Sequence, residues 1–462
     1  MNKIIITIET LSREFDYKIY IARELAKFGF EVHIVECDYY KLVLIEKSKD
    51  YLLLDKVLLD YKTNQIRLNY LDKLKYQGVK LIYLNEESAV FKNYDNVKIA
   101  ESELKSMYDI SVFNEDNIVV SAGDFQHNFA LNKSPKCEMA LIGIPRFSLY
   151  SNDYKYIYNH LVSDVLNKYG DFILINTNYS LFNPATGLND VFLLNNPENN
   201  ISFYDTAREI TLSYLAEGRQ VFGFIELILQ LSAKYPQFNF VLRPHPSENP
   251  EYYNFFFQGL NNVFVNNSGS VNELILASKA LIHNGCTTAI ESSLAGIPVF
   301  NYDLIGDSKY ICAYPNEFGN SFYNLKDFLF HFDNFVLNLN SNYSVRLGNK
   351  DFLKNINDNS NSLNNYIALI LRTLNSDVLK KGRLRYSIVG LLKLYILIPF
   401  FNFFRINILG ESKLGKYFNS KRKFPGFKKQ TFKLRYTMLN FHHQDKIKVK
   451  ILNNYHMKIT NK

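Results

Sequence analysis

The chain of 462 residues has no tryptophan and only four cysteines, Cys37, Cys137, Cys286 and Cys312. These are scattered, with no CxxC pair and no Cys/His ligand spacing. That argues against a disulfide framework and a structural zinc site, and for a reducing compartment. No DxD-type carboxylate pair stands near a predicted strand end, so no metal is expected at the site. Long runs that are both apolar and uncharged are missing as well. A spanning helix needs about 20 largely uncharged residues, and the longest apolar stretch, Tyr386 to Leu409, is broken by Lys393, Pro399, Asn402 and Arg405. No internal repeat is visible. No signal peptide precedes Met1, whose neighbours enter directly into a buried-strand pattern, so a cytoplasmic protein is expected. The lack of Trp beside 33 Tyr and 37 Phe points to AT-rich coding and carries no chemistry.

Charge is present but one-sided. The net charge is +8, yet from Ser376 onward 20 Lys and Arg face three acids, Asp377, Glu411 and Asp445. The first 375 residues are therefore net acidic, which disfavours a nucleic-acid partner, since such a domain carries its positive stripe on the folded body.

Strand and helix patterns alternate along the first 375 residues. Strands are predicted at Lys3–Ile8, Glu31–Val35, Lys80–Leu84, Asn117–Ser121 and Cys137–Ile142, with helices at Phe15–Phe28 and Tyr70–Tyr76. After a helix at Tyr154–Tyr169 a second series begins: strand Phe172–Asn176, helix Val221–Tyr235, strands Asn239–Arg243 and Val263–Asn266, and helix Val271–Ser278. This rhythm predicts an α/β protein with two Rossmann-like domains facing a cleft. The expected division is an acceptor-side domain over 1–150, a linker helix over 151–170, a nucleotide-sugar-binding domain over 171–375 and a tail over 376–462. A helical pattern at Leu363, Tyr366, Ile367, Ile370 and Leu371 is expected to close the second domain. In the tail, Tyr386–Leu409 suits an interfacial helix or hairpin on an anionic membrane, helped by Lys421-Arg-Lys423 and Lys428-Lys429. A buried helical pair is the other reading.

Two runs in the second half carry chemistry, Arg243-Pro-His-Pro-Ser-Glu248 and His283-Asn-Gly-Cys-Thr-Thr288. In the second, a strand enters a helix through the Asn284–Gly285 turn. Backbone N–H groups and the hydroxyls of Thr287 and Thr288 are then expected to converge on an anion. Glu291, one turn in, is placed to accept from a ribose diol. In the first run, Pro244 and Pro246 hold the loop extended around His245, with Arg243 and Ser247 beside it. Taken singly, a strand-turn-helix is ordinary architecture and His245 suits a loop histidine bonded to backbone. In the first half, Glu9–Asp16 and Asn85-Glu-Glu-Ser88 follow predicted strands. Glu86 and Glu87 suit a general base with a tuning neighbour, or the first turn of a solvated helix.

Taken in order, Arg13-Glu-Phe-Asp16, Asn85-Glu-Glu-Ser88, Ile142-Gly-Ile-Pro-Arg-Phe147, Phe172-Ile-Leu-Ile-Asn-Thr-Asn178, Arg243-Pro-His-Pro246 and His283-Asn-Gly-Cys-Thr-Thr288 resemble the successive signatures of bacterial surface carbohydrate biosynthesis proteins. The resemblance covers about residues 1–375. It implies a GT-B-like glycosyltransferase, with a nucleotide-sugar as substrate, no cofactor, and a glycan or lipid-linked glycan as acceptor. The acidic pair, the His-Pro motif and the Thr pair are also similar to those of transferases of CMP-activated ulosonic acids, of sialyltransferase and Kdo-transferase type. Asn85 stands where that group shows Asp, and Ser88 where it shows Gly. The resemblance implies Glu86 as base with Glu87 beside it; His245, Arg243, Ser247, His283, Asn284, Gly285, Thr287 and Thr288 around the phosphate; Glu291 at the ribose. Arg13, Glu14, Asp16, Asn176 and Asn178 would line the sugar side. Other activities fit the same motifs: nucleotide-sugar 2-epimerase, polyol-phosphate transferase, or a non-catalytic membrane-tethered scaffold.

Overall fold

The computed structural model describes residues 3–45, 47–56, 64–84, 110–185, 203–306, 310, 312–339, 361–376, 382–397, 424–427, 435–437, 439 and 446–461. They divide into two compact units, the first drawn from within Met1–Ala89, Glu101–Ile157 and Asp351–Lys462, the second from within Tyr158–Lys350. Each is a Rossmann-like α/β unit around its own parallel sheet.

In the first unit, β1 (Lys3–Ile8), β2 (Glu31–Glu36), β3 (Leu52–Asp55), β4 (Lys80–Leu84), β5 (Asn117–Ser121) and β6 (Glu138–Leu141) are parallel, in the order β2-β1-β3-β4-β5-β6. β1, β3 and β4 are almost wholly buried, as strands covered on both faces must be, and so they read as apolar runs without alternation. Helix α1 (Leu11–Lys27) ends at Gly29, whose φ of +84° a side chain would resist.

The tail contributes to this sheet. A hairpin of β13 (Ile447–Asn453) and β14 (His456–Asn461) adds antiparallel to the β2 edge, with His456 opposite Val35 and Lys458 opposite His33. Arg435 bonds Asp16 through Nε at 2.8 Å, and Phe427 packs on Phe15. These parts of 376–462 belong to the folded body, a correction to the reading of that whole span as a membrane-associating tail. The expected closing helix is also displaced. It runs over Ser362–Ser376 and packs in the first unit, where Leu363 N donates to Ser148 Oγ at 3.1 Å, rather than capping the second domain. Its apolar stripe was legible, but a stripe does not name the surface it covers. The unit boundary falls between Ile157 and Tyr158, within the expected linker helix, which is a 3-10 turn (Lys155–Tyr158) followed by a helix (Asn159–Tyr169).

The second unit holds β7 (Phe172–Asn176), β8 (Asn239–Arg243), β9 (Val263–Val265), β10 (Ala280–His283), β11 (Val299–Tyr302) and β12 (Asn320–Phe322). All are parallel, in the order β12-β11-β10-β7-β8-β9. One face is packed by Val221, Phe224, Leu227 and Ile228 of the long Phe203–Lys234 helix and by Phe328, Phe332 and Phe335 of the Leu325–Leu337 helix. From β7 the chain moves outward through β8 and β9, then returns to lay β10 on β7's other side. Order therefore reverses between β7 and β10. In open α/β sheets such a reversal leaves a crevice at the strands' carboxyl ends, because the two following loops diverge.

Candidate functional site

The residues that end β7 and β10, and the loop after β8, meet at this reversal. Asn176 Nδ2 donates to Thr288 Oγ1 at 2.8 Å, tying β7 to the Thr288–Leu294 helix. Next along the chain, Thr177 Oγ1 donates to Glu248 Oε1 at 2.9 Å, and the same oxygen accepts from His245 N at 2.9 Å. Tyr253 OH donates to the other carboxylate oxygen at 2.5 Å. Glu248 is 2 % exposed and thus pins the proline-flanked loop to β7 from within. Burial pushes its carboxyl up, against the pull of the hydrogen bonds it accepts. The two sequence runs are thereby joined through adjacent residues, Asn176 and Thr177.

In the loop, Ser247 N donates to His245 Nδ1 at 3.2 Å. A neutral imidazole that accepts at Nδ1 carries its proton on Nε2, so the half-buried ring is set as a donor. On the turn after β10, Thr287 is half-buried, adopts helical angles and makes no side-chain cap bond. The amide of Thr287 donates to no acceptor among the described residues, whereas Thr288 directs its amide to the Cys286 sulfur and its hydroxyl to the same atom at 3.1 Å.

Several expected contributors are committed elsewhere. Gly285 N donates to Asn316 Oδ1 at 2.7 Å and Cys286 N to His283 Nδ1 at 3.4 Å, so the first amides of the turn are spent within the protein. Gly285 instead serves by its φ of +61° and by fit, since a Cβ would lie 3.2 Å from the Cys312 carbonyl oxygen. His283 is fully buried, its Nε2 has no partner among the described residues, and burial alone lowers its pKa to about 3. Asn284 is buried and donates to Tyr302 O at 3.3 Å, so it is no surface ligand. Glu291 is 5 % exposed, which corrects the expectation of an open ribose acceptor. Arg243 donates through its terminal nitrogens to Ser268 O and Gly269 O at 2.7 and 2.8 Å, bracing the loop after β9. That fork is no phosphate clamp. Asn176 is buried as a tie, whereas Asn178, two residues on, is exposed.

In the first unit the strand order reverses between β1 and β3, and here the protein fills the point itself. Glu14 is fully buried; it accepts from Thr10 N at 3.0 Å, Lys18 Nζ at 2.5 Å and Lys56 Nζ at 2.8 Å. Burial would raise its carboxyl, but Lys18 and Lys56 hold it well below the usual range. Asp16 is paired with Arg435. Neither is available to a sugar, which corrects the substrate-binding expectation for both. Arg13 is half-buried in the first turn of α1. Glu86 and Glu87, with Asn85 and Ser88, lie outside the described residues.

Sequence reasoning passed over Glu248 and Thr177 as site residues, although both stand in the quoted runs. Their signal was an acid following a Pro-His-Pro loop, too short to be read without the fold. A hollow of about 620 Å³ along the Phe203–Lys234 helix, between Phe182, Phe222 and Leu304, is lined by none of the motif residues. The donor set above, rather than volume, defines the site.

Fold and site together define a protein of two α/β units, the second with the His245 loop and the Thr287 turn joined at the reversal of its strand order. No family model matches the chain, and no curated protein matches it in sequence. Among solved structures it is similar to the wall teichoic acid polymerase TagF, at 13% identity over 81% of this chain and 89% of that one, with a TM-score of 0.48. It is similar as well to UDP-GlcNAc 2-epimerase from Methanocaldococcus jannaschii (13% identity, 81% of this chain, 99% of that one, TM-score 0.40). A third is Alr3699/HepE from Anabaena, with 11% identity, 81% and 100% coverage and a TM-score of 0.40.

Proposed function

We propose that the protein is a glycosyltransferase of bacterial surface polysaccharide biosynthesis, working at the inner face of the cytoplasmic membrane. It would move a sugar from a CMP-activated donor, an ulosonic acid, to a glycan acceptor. The observation that carries this reading is the hydrogen-bonded junction of the His245 loop with the Thr287–Thr288 turn at the reversal of strand order. His245 Nε2–H and the hydroxyl and amide of Thr287 meet the charge of the departing nucleotide, each donor oriented before the ligand arrives. The acceptor hydroxyl forms its bond to the anomeric carbon as the bond to phosphate oxygen breaks, and its proton passes to Glu86, with Glu87 tuning that base. Arg13 is assigned to the sugar's own carboxylate, and Asn178 to its hydroxyls. The ulosonate assignment rests on the ordered motifs, chiefly the acidic pair.

Thermal unfolding of the full chain with CMP, CDP and UDP tests the reading. CMP is expected to raise the midpoint, and His245→Ala to weaken nucleotide binding roughly tenfold to a hundredfold, the worth of one hydrogen bond to a charged group. A shift with UDP or CDP but not CMP removes the ulosonate donor and keeps the class. No shift with any of them sinks the nucleotide-sugar reading.

A further inference from the structure

The segment that follows the Ser362–Ser376 helix is anchored along residues 43–49 and at Tyr455 and His456 of the hairpin. Residues 383–387 run along 43–49: Lys49 and Arg383 exchange backbone hydrogen bonds at 3.0 Å, and Ser387 N donates to Val43 O at 2.8 Å. Ser387 then caps a short helix, Ile388–Leu392, accepting from Gly390 N at 3.1 Å, and a π-helical turn continues to Leu397. Gly390 fixes which way this helix faces. A Cβ there would lie 1.9 Å from the Leu42 carbonyl oxygen, so helix and backbone touch. Leu384, Leu391 and Leu394 pack against the first unit's core.

The opposite face is apolar and turned outward. Ile388 is 75 % exposed, Val389 61 % and Leu392 47 %, at helical spacing i, i+1 and i+4, and Tyr395, 46 % exposed in the π-helical turn, rests one edge on the Tyr455 ring. Water around four adjacent large apolar side chains is a standing cost unless something covers them. Exposed Lys393 stands on the helical segment itself and exposed Arg385 just before it, with exposed Arg383, Lys47 and Lys49 farther along the paired run; acids on the packed elements include Glu31, Glu36, Asp38 and Asp50. An apolar strip with a cationic collar matches the two layers of an anionic bilayer surface, acyl chains inside and phosphates at the rim. Among the described residues no helix is long and apolar enough to cross a membrane.

We propose that the outward face of Ile388–Tyr395 is a monotopic docking surface for an anionic lipid bilayer. It rests on the membrane-proximal part of the function proposed above, but its test reads lipid, not nucleotide. The face seats in the headgroup region with Ile388, Val389, Leu392 and Tyr395 among the first acyl carbons. The collar meets lipid phosphate, each cation strengthening binding about fivefold at low salt.

Because the chain has no tryptophan, Leu392→Trp supplies a single emission reporter on the face without background. Adding vesicles of equimolar phosphatidylcholine and phosphatidylglycerol to the full-length variant should shift its emission to the blue, and phosphatidylcholine vesicles alone should not. Ile388→Ser with Val389→Ser, both exposed and hence tolerated by the fold, should lower flotation with anionic vesicles at least about tenfold while the melting midpoint and the response to CMP stay unchanged. Emission that is blue before vesicles are added, and unmoved by them, overturns the proposal. Concentration-dependent mass would then assign the cover to a second copy, and constant mass to the chain itself. Flotation unaffected by the double substitution overturns it equally. Loss of the CMP response with flotation intact would count against the proposed function and leave the docking face standing.

Discussion

Glu14→Ala is expected to lower the stability of the first unit by about 3–5 kcal/mol, the usual cost of stranding a buried charge by removing its partner. Here two cations, the Lys18 and Lys56 side chains, each 6 % exposed, lose their shared buried carboxylate, Lys18 keeping the Thr7 carbonyl and Lys56 the longer contact to Glu9, and the amide of Thr10 at the start of α1 also loses its acceptor. Glu14→Gln keeps an oxygen for that amide but no charge, so most of the loss should persist. Thermal unfolding with hydrogen exchange at the β1 and β3 amides separates this unit from the other. A change within about 0.5 kcal/mol, the size of an ordinary surface substitution, would show that the cluster contributes little. The pH sign follows from the direction of the shift. A carboxyl held below its ordinary value contributes stability that is present above the unfolded pKa, about 4.3, and is lost as pH falls toward the folded one. At neutral pH the contribution is complete.

Acidification from neutrality should destabilise both units, starting well before the carboxylates titrate. His456 in the first unit and His283 in the second are buried neutral, and burial is the first cause lowering each to about 3. The unfolded chain takes up protons near pH 6.5 while the folded chain resists. Each group therefore removes roughly 1.4 kcal/mol per pH unit between about 6.5 and the folded value. In the first unit the effect has a location. His33 Nδ1 and His456 Nε2 lie 2.7 Å apart, sharing one hydrogen bond, and burial lowers His33 too despite its bond to Glu31. Two imidazolium ions cannot occupy that geometry. The β13–β14 hairpin should accordingly undock from the β2 edge first, seen as early exchange of its amides below pH 6. His456→Gln should flatten the slope for that unit alone. Hairpin protection that holds to pH 4 would refute the expectation.

Much of the local structure was legible. The bounds expected for β1, β5, β7 and β8 coincide with those observed, since a short apolar run between a helix-ending glycine or a polar turn and the next loop has little else to be. β3 was missed because it lies in a short apolar run, Tyr51-Leu-Leu-Leu54, that resumes at Val57-Leu-Leu59, and so short a run does not separate strand from helix by periodicity. The hairpin was overlooked for a different reason. Ile447, Val449 and Ile451 alternate with Lys448 and Lys450, with Asn453–Asn454 as turn, yet the surrounding charge made the span read as a tail. For the site, turn chemistry and proline constraint pointed to Thr287, Thr288 and His245, and the structure brings their loops together at the reversal of strand order while committing Thr288 to Asn176 and Cys286. Arg243, Glu14 and Asp16 were misjudged because a charged residue near a strand end looks the same whether it faces a ligand or a partner.

The sequence by itself determined where strands and helices form and which short runs carry donors, because periodicity, glycine at positive φ and proline act over a few residues. Only the tertiary structure decided which of those donors are still uncommitted. Asp16 meets Arg435 across 419 positions and Asn176 meets Thr288 across 112, pairings set by strand order and packing. The same packing turned one apolar run in the last hundred residues outward at Ile388–Tyr395, while Gly390, with no side chain to hold it off, pressed the other side onto Leu42.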